Sequence, residues 1–208
     1  MLIVPYGRAR AEITVVNSRF IASLAPADSV EAARAYIAGI RAEFPDATHN
    51  VPAFIIGGGN AVTEFCSDDG EPSGTSGRPL LAALKGSGLG NAVVVVTRYF
   101  GGTLLGTGGL VKAYSEAGKA VLAVARRAEL VETRRLAFDA PYHLFERVRS
   151  LAESSGATIV AENFAESVAL ELDVAAADCD AFMSALADLS AGAIAPRLGS
   201  TRLAARPL

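Results

Sequence analysis

The feature that most constrains the fold is the run NAVVVVTRYF at residues 91–100, in which five apolar residues follow one another without a break. Side chains along a β-strand point alternately to the two faces of a sheet. Such a run therefore predicts a strand that is buried on both faces. Glycine-rich segments flank it on either side, GSGLG at 86–90 and GGTLLGTGG at 101–109. The two segments are thus expected at the ends of an interior strand.

The rest of the first half alternates between strand and helix patterns. Asp28, with Glu31 three residues later, predicts a capping box that opens a helix, and that helix ends before Pro45. A short helix is predicted after Pro79. A longer helix is predicted from Leu110 to about Arg127, and the other predicted strands are a pair over 12–25 that turns near 17–18, then 51–57 and 62–66 around a turn at 57–60.

The pattern starts again after residue 127. Strand and helix signals follow in the order β-α-β-β-α-β, over 130–140, 143–156, 157–164, 166–174, 175–190 and 193–204. This order over about 75 residues is typical of the ferredoxin-like fold. Both halves combine helices with strands that should pair antiparallel, so the predicted class is α+β. We predict two domains, residues 1–130 and 131–208.

The distribution of charge limits the partners. The chain has 208 residues and a net charge of −3. Residues 1–128 carry twelve Lys or Arg against ten Asp or Glu, whereas residues 129–208 carry seven against twelve. This composition excludes a generally basic nucleic-acid binder, and no DNA partner is predicted. The net-positive first half still has room for a local basic face.

Neither a membrane segment nor a zinc site is expected. The sequence has no run of eighteen uncharged apolar residues, and its start lacks the apolar segment of a signal peptide. We therefore expect a cytoplasmic protein without a membrane partner. Cys66 and Cys179 are isolated, and only two histidines accompany them, so a four-ligand zinc site is improbable. No metal and no cofactor is predicted.

The two glycine-rich segments do not match nucleotide-binding motifs. GSGLG lacks GxGxxG spacing and precedes a strand, and GGTLLGTGG carries Thr107 where a P-loop requires lysine. The second segment leads from a strand into a helix, where unpaired backbone N–H groups favour an anion. The alternative is that its glycines only permit a tight connection. The candidate anion- or RNA-binding residues are Arg98, Tyr99, Gly101, Gly102, Gly106, Thr107, Gly108, Gly109 and Lys112.

The segment SDDGEPSGTSG at 67–77 concentrates acids and chain-breaking residues in one loop. Its carboxylates are hard ligands suited to Mg²⁺ or Ca²⁺, but the spacing of a calcium loop is absent, and its serines lack the GxSxG elbow. Four alternatives stay open: a metal site, a catalytic site, a ligand or partner surface, and a turn. In the turn, Asp side chains bond their own backbone and Thr75 or Ser76 caps the next helix. The candidate residues are His49, Asp68, Asp69, Glu71 and Thr75.

Two long motifs resemble signatures of the IMPACT family, and in particular of its bacterial YigZ-type members. Residues 65–81, FCSDDGEPSGTSGRPLL, match the pattern DDGEPxGTxGxP, and residues 93–114, VVVVTRYFGGTLLGTGGLVKAY, match RYxGGxxLGxGGLxxAY. An upstream DAxH pattern stands at 46–49. The resemblance covers essentially the whole chain. Ser76, Phe100 and the pair at 50–51 depart from the residues that we expect of the family.

The resemblance implies a first domain similar to the second domain of ribosomal protein S5. It implies a second, ferredoxin-like domain similar to the last domain of elongation factor G. Eukaryotic members regulate translation initiation by interfering with activation of an eIF2α kinase. We therefore expect a non-enzymatic, translation-associated protein that binds RNA, ribosomal components or another protein, with the acidic second domain docking a protein partner. The alternative is an enzyme, a hydrolase or a phosphate-ligand enzyme, that uses residues 67–77 and 101–109.

Overall fold

The helices and strands of the chain fall into two units. The computed structural model describes residues 2–58 and 61–208. The first unit contains the described residues up to 130 together with 205–208, and the second contains 131–204. The predicted two-domain α+β architecture is confirmed. Residues 205–208 group with the first unit, and the backbone N–H of Leu208 donates to the carbonyl of Arg127 at 3.1 Å.

The helices and strands follow in this order along the chain. The elements before residue 125 are β1 (Leu2–Pro5), β2 (Ala9–Val15), β3 (Ser18–Pro26), α1 (Val30–Glu43), β4 (His49–Gly58), β5 (Ala61–Cys66), α2 (Gly77–Gly86), β6 (Ala92–Tyr99) and α3 (Gly106–Val124). The later elements are β7 (Arg127–Ala140), α4 (Tyr142–Ser154), β8 (Thr158–Phe164), β9 (Val168–Ala175), a 3₁₀ turn (Ala176–Asp178), α5 (Cys179–Ser190) and β10 (Arg197–Pro207).

The predicted interior strand is the centre of the first sheet. The sheet is antiparallel, with strand order β2-β3-β6-β4-β5, and β6 is its middle strand. Val94 and Val96 pack in the core cluster that contains α2 and α3, whereas Val93 and Val95 pack in the cluster that contains α1. Because helices cover both faces, all five apolar positions of the run are buried. The prediction of a strand buried on both faces is confirmed.

Two predicted turns join strands of this sheet. The turn between β2 and β3 lies at Val16 and Asn17, which have φ of 45° and 64°. Positive φ at both residues matches the right-handed twist of the two flanking strands. The turn near 17–18 is therefore confirmed to within one residue. The second predicted turn, at 57–60, includes residues 59 and 60, which lie outside the described residues.

Ser29, and not Asp28, caps α1. The backbone of Ser29 is extended, with φ of −144° and ψ of 160°, and its Oγ accepts a hydrogen bond from the N–H of Ala32 at 3.1 Å. The predicted cap at Asp28 is wrong by one residue. Aspartate and serine are both good N-caps, so residue type alone does not choose between neighbours and the path of the backbone decides.

Ser29→Ala is expected to lower the free energy of unfolding by about 1 kcal/mol, because one backbone N–H of α1 then loses its acceptor. Asp28→Ala is the matched control and should change the free energy by less than about 0.5 kcal/mol. Urea denaturation followed by tyrosine fluorescence measures both variants. Equal losses in the two variants would contradict the assignment of the cap.

α3 begins four residues before the predicted start at Leu110. Its first four residues are Gly-Thr-Gly-Gly, a composition of low helix propensity that the sequence places in a loop. Residues of α3 that are buried at helical spacing hold the helix in place, and they include Leu110, Tyr114, Ala117 and Val121. Burial of this apolar face therefore overrides the local propensity.

The second unit has the predicted ferredoxin-like order. Its elements run β7-α4-β8-β9-α5-β10, and in the sheet β10 pairs with β7, β7 with β9, and β9 with β8. Its core includes Leu136, Phe138, Val148, Leu170, Leu172, Phe182 and Leu186, from both helices and the strands β7 and β9. The β-α-β-β-α-β prediction is confirmed. In residues 2–58 and 61–208, no helix has both the length and the apolar character needed to cross a membrane.

Candidate functional site

Asp68 caps the start of α2, although it lies eight residues before Ser76 in the sequence. Its Oδ1 accepts hydrogen bonds from the backbone N–H groups of Ser76 at 3.1 Å and Gly77 at 2.9 Å, and its Oδ2 accepts one from Gly74 at 2.8 Å. The hydroxyl of Ser76 also donates to Oδ1, at 2.8 Å. Burial raises the pKa of this carboxyl, but the four hydrogen bonds outweigh burial and lower the pKa from 3.8 to about 2. Asp68 is therefore an ionised structural acceptor with both oxygens engaged.

The predicted capping by Thr75 or Ser76 is corrected by this arrangement. Ser76 occupies the N-cap position of α2, but its side chain makes no capping hydrogen bond to the helix. Thr75 Oγ1 instead donates to the carbonyl of Pro72 at 2.6 Å, inside the turn. A carboxylate carries two acceptor oxygens and a charge, so Asp68 satisfies more of the free N–H groups at a helix start than one hydroxyl does.

Asp69 fastens the acidic loop, residues 67–77, to its surroundings. Its Oδ1 accepts a hydrogen bond from Nη2 of Arg41 on α1 at 2.5 Å, and its Oδ2 accepts one from the backbone N–H of Asn50 on β4 at 2.7 Å. Its backbone has φ of 48°, in the left-handed region. Across the described part of the chain, no group of three or more His, Cys, Asp or Glu side chains is arranged to hold a metal ion.

Glu71 is the buried carboxylate of the loop, with 3% of its side chain exposed. Its Oε1 accepts hydrogen bonds from Arg98 Nη1 at 2.6 Å and from the hydroxyl of Tyr114 at 2.8 Å. Burial, followed by the charge of Glu71, raises the pKa of Tyr114 far above its usual range, so this hydroxyl remains a donor. Because a buried carboxylate is costly unless it is paired, Arg98 and Tyr114 make the position of Glu71 stable.

His49 lies beside both acidic residues. Its Nδ1 is 2.8 Å from the carbonyl oxygen of Asp69, and because a carbonyl only accepts, Nδ1 is the donor. This contact fixes the ring, and Nε2 then lies 3.8 Å from Oε1 of Glu71. The side chain is 19% exposed. His49 is therefore partly open to solvent, whereas Glu71 beside it is buried.

Arg98, one of the candidate anion- or RNA-binding residues, is buried. Only 6% of its side chain is exposed, its Nη1 is paired with Glu71, and its Nη2 donates to Oγ of Ser18 at 3.4 Å. The guanidinium lies 5.5 Å from the ring centroid of Phe20 and 5.6 Å from that of Phe100. Its Nε finds no hydrogen-bond partner within residues 2–58 and 61–208. Glu71 neutralises the charge of Arg98, so Arg98 stabilises the cluster from inside the fold.

Tyr99 and Gly101 also have structural roles. The hydroxyl of Tyr99 donates to Oδ1 of Asp46 at 2.9 Å. At Gly101, an added Cβ would lie 2.1 Å from the backbone carbon and oxygen of Asn17, a distance at which atoms clash. Glycine is therefore required where the segment 101–109 passes the turn between β2 and β3. Gly102 and Gly106 have φ of 81° and 70°, which favours glycine at both positions.

The start of α3 differs from these positions because it faces outward. Gly106, Thr107 and Gly108 are exposed, and the apolar N-cap residue Leu105 offers no side-chain hydrogen bond. An added Cβ at Gly108 would meet no atom within 4 Å, so nothing in the fold demands a glycine there. Gly109 is half-buried against Leu105. We call Gly106, Thr107, Gly108 and Lys112 the α3 start; the side chain of Lys112 is 77% exposed.

The structure brings some of the predicted residues together and separates others. One cluster contains His49, Asp69, Glu71 and Arg98. Asp68 and Thr75 instead stabilise the turn before α2. Lys112 lies apart on the exposed side of α3, with its Nζ 3.8 Å from Glu116. Ser18, Arg41 and Tyr114 complete the cluster and were missed. Tyr114 belongs to the second family motif, but no local signal shows that it reaches Glu71, which lies 43 residues away.

Two family models match this chain. The Impact N-terminal domain matches residues 16–122, and a domain of unknown function, DUF1949, matches residues 138–193. The first match spans the acidic loop, the cluster around Glu71 and the α3 start. The chain belongs to the IMPACT family. The resemblance that the two motifs indicate is thus confirmed, and the cluster lies in the part that defines the IMPACT domain.

Relatives with the IMPACT name match along both domains. IMPACT family member YigZ of Escherichia coli (strain K12) is 39% identical over 189 residues, which are 88% of this chain and 93% of that protein. An IMPACT family member of Haemophilus influenzae is 36% identical over 197 residues, 94% and 96% of the two chains. A crystal structure described as that of a hypothetical protein is 37% identical and has a TM-score of 0.61, covering 94% of this chain and 95% of that one.

Proposed function

We propose that this IMPACT-family protein is a translation-associated binding protein that contacts RNA or a ribosomal component through the α3 start. Family membership supports a role in translation, since eukaryotic members of the family regulate translation initiation. One observation supports the α3 start as the binding surface. The first turn of α3 is exposed, has no acidic residue and is not capped by a side chain. Its N–H groups and the helix dipole favour a phosphate there.

The residues around the α3 start suit a nucleic acid better than a free anion. Lys112 adds a positive charge, and Phe100 exposes 44% of its surface at the beginning of the segment 101–109. Exposed aromatic rings stack on bases without selecting among them, and phosphate contacts bind without reading sequence. We therefore expect single-stranded RNA to bind with little sequence preference. The acidic second unit is expected to dock a protein rather than RNA.

The buried cluster supports the proposal by fixing the α3 start. Tyr114 ties α3 to Glu71, and Ser18 accepts a hydrogen bond from the backbone N–H of Gly101 at 3.2 Å as well as one from Arg98. These bonds hold both ends of the segment 101–109. A binding surface that is held rigid loses less conformational entropy when its ligand arrives.

Association of the full chain with RNA is the experiment that tests this proposal. A fluorescein-labelled single-stranded RNA and purified ribosomes are the probes, in filter binding and pelleting assays. We expect binding at low salt, and affinity should fall about tenfold between about 50 and 200 mM salt if two or three phosphates are contacted. Absence of association with both probes at low salt would overturn the proposal.

An enzyme is the second candidate, and one observation favours it. His49 is oriented by a backbone carbonyl and partly exposed beside buried Glu71, an arrangement that a general base requires. The substrate would be a phosphorylated or peptidic small molecule. If His49→Gln leaves the melting temperature intact but removes a nucleotide-induced rise in it, this candidate is favoured. If no nucleotide or phosphopeptide changes the melting temperature of the native chain, it is excluded.

A further inference from the structure

The free edge of β5 lacks the protection that edge strands usually have. β5 is the last strand of the first sheet, pairs in continuous register with β4, and exposes most of its side chains. Edge strands of monomeric proteins are commonly blocked by charges, prolines or bulges. The sequence of β5, AVTEFC, has one charge, and Lys85 holds that Glu64 carboxylate at 2.9 Å. On the opposite edge, β2 carries Arg10 and Glu12, each in an ion pair.

Backbone groups of β5 point away from the sheet at known positions. The N–H of Ser67 donates to the carbonyl of Pro52 on β4 at 3.2 Å, so the backbone groups of residue 67 point toward β4. In an antiparallel pair, successive residues turn their N–H and C=O groups alternately toward the partner and away from it. Val62 and Glu64 therefore direct these groups outward. They form a ladder that a further strand can use.

A groove between α1 and β5 runs beside this ladder. It has a volume of about 490 Å³, and its lining includes Arg34, Ile37, Arg41 and Phe65. Phe65 is 40% exposed and stacks on Phe54 at 5.0 Å between ring centroids, so its outer surface is free for an apolar contact. The groove is thus apolar at its floor and basic at its α1 side.

The charge of the groove selects the occupant. Arg34 makes no ion pair with any residue in the described ranges, and Arg41 shares its charge with Asp69. We propose that an extended segment of a protein partner, with acidic side chains next to apolar ones, binds along β5 as a sixth strand of the sheet. Backbone pairing requires a polypeptide, the acids meet the two arginines, and an apolar side chain covers Phe65.

A second copy of this chain does not fit the same edge. If two β5 strands paired around a two-fold axis, the face with α1 would receive Thr63 and Phe65 of the second copy, because side chains of one face stay on that face. Glu64 lies on the other face with Lys85. The β5 strand of a symmetric copy therefore brings no carboxylate to Arg34, whereas a different protein segment can.

Fluorescence anisotropy of the full chain with a designed peptide tests this docking site. The probe has seven residues, with valine and aspartate alternating at the odd positions and threonine at the even ones, and a second peptide has lysine for aspartate. Val62→Pro removes an outward N–H without touching the ladder to β4, and Val62→Thr is its matched control. Arg34→Glu reverses the charge of the groove, and Arg147→Glu on α4 is the control for charge.

We expect the aspartate peptide to bind the native chain and the lysine peptide to bind at least about tenfold more weakly. Val62→Pro and Arg34→Glu should each weaken binding of the aspartate peptide about tenfold, while the two controls bind like the native chain. Five results would overturn the proposal: no binding to the native chain, equal binding of the two peptides, native-like binding by a folded Val62→Pro, native-like binding by Arg34→Glu, or a dimer that Val62→Pro dissociates. If Val62→Pro does not fold, the result for Arg34→Glu decides.

Discussion

Replacing Arg98 by methionine is expected to lower the free energy of unfolding of the first unit by about 3–5 kcal/mol. Methionine fills the space between the two phenylalanine rings but leaves the carboxylate of Glu71 buried without its cation. Glu71→Gln should cost a comparable amount, because it leaves the guanidinium buried and unpaired. Both effects exceed those of most point substitutions, since a lone buried charge is the main cost.

The double variant shows whether Arg98 and Glu71 stabilise the fold as an interacting ion pair or as two independent side chains. Arg98→Met with Glu71→Gln removes both charges, and the glutamine still offers Tyr114 an acceptor. We expect the double variant to be about 2–3 kcal/mol more stable than the sum of the single losses predicts. Urea denaturation followed by tyrosine fluorescence reports on the first unit, which contains four of the five tyrosines. Additive losses, or single variants as stable as the native chain, would show that the pair does not support the fold.

Asp68→Asn is expected to destabilise the first unit by about 2 kcal/mol at neutral pH, and this loss should disappear in acid. Folding lowers the pKa of Asp68 from 3.8 to about 2. A lowered pKa means that the ionised carboxylate stabilises the folded state fully above 3.8, and that this contribution is lost as the pH falls from about 4 to about 2. The shift corresponds to about 2 kcal/mol.

Urea denaturation of both proteins between about pH 7 and pH 2.5 measures this dependence. The difference in free energy between the native chain and Asp68→Asn should shrink as the solution becomes acidic. Glu116→Gln, at an exposed carboxylate on α3, is the control and should show little difference at any pH. A difference that stays constant with pH would mean that Asp68 does not act as an ionised cap of α2.

The sequence predicted the parts of the fold that carry their own local pattern. The unbroken apolar run of β6 and the β-α-β-β-α-β order of the second unit are confirmed because hydrophobic periodicity and turn residues specify each element separately. The start of α3 was placed too late because Gly106, Gly108 and Gly109 have low helix propensity. The gain from burying Leu110 and the residues beyond it is a property of the tertiary structure.

The contacts of the candidate site could not be predicted in the same way. Arg98 meets Glu71 across 27 residues and Ser18 across 80, and no periodic signal reports such pairings. The spacing of the acids argues against a calcium loop. That spacing does not show that the carboxylate oxygens of Asp68 and Asp69 accept hydrogen bonds from backbone N–H groups and from Arg41. Only the path of the chain shows that most acids of the loop hold the fold, while the α3 start faces solvent.

The most direct test of RNA binding at the α3 start is to measure the stability and the RNA affinity of Gly108→Asp together. Nothing lies within 4 Å of an added Cβ at this position, so the substitution fits the fold. Replacing a helical glycine stabilises by up to about 1 kcal/mol, and an acid in the first turn adds about 0.5 kcal/mol. The variant should therefore be more stable than the native chain and bind the labelled RNA at least about tenfold more weakly. Gly108→Ala should gain stability but keep its affinity, and native-like RNA binding by Gly108→Asp would contradict RNA binding at the α3 start.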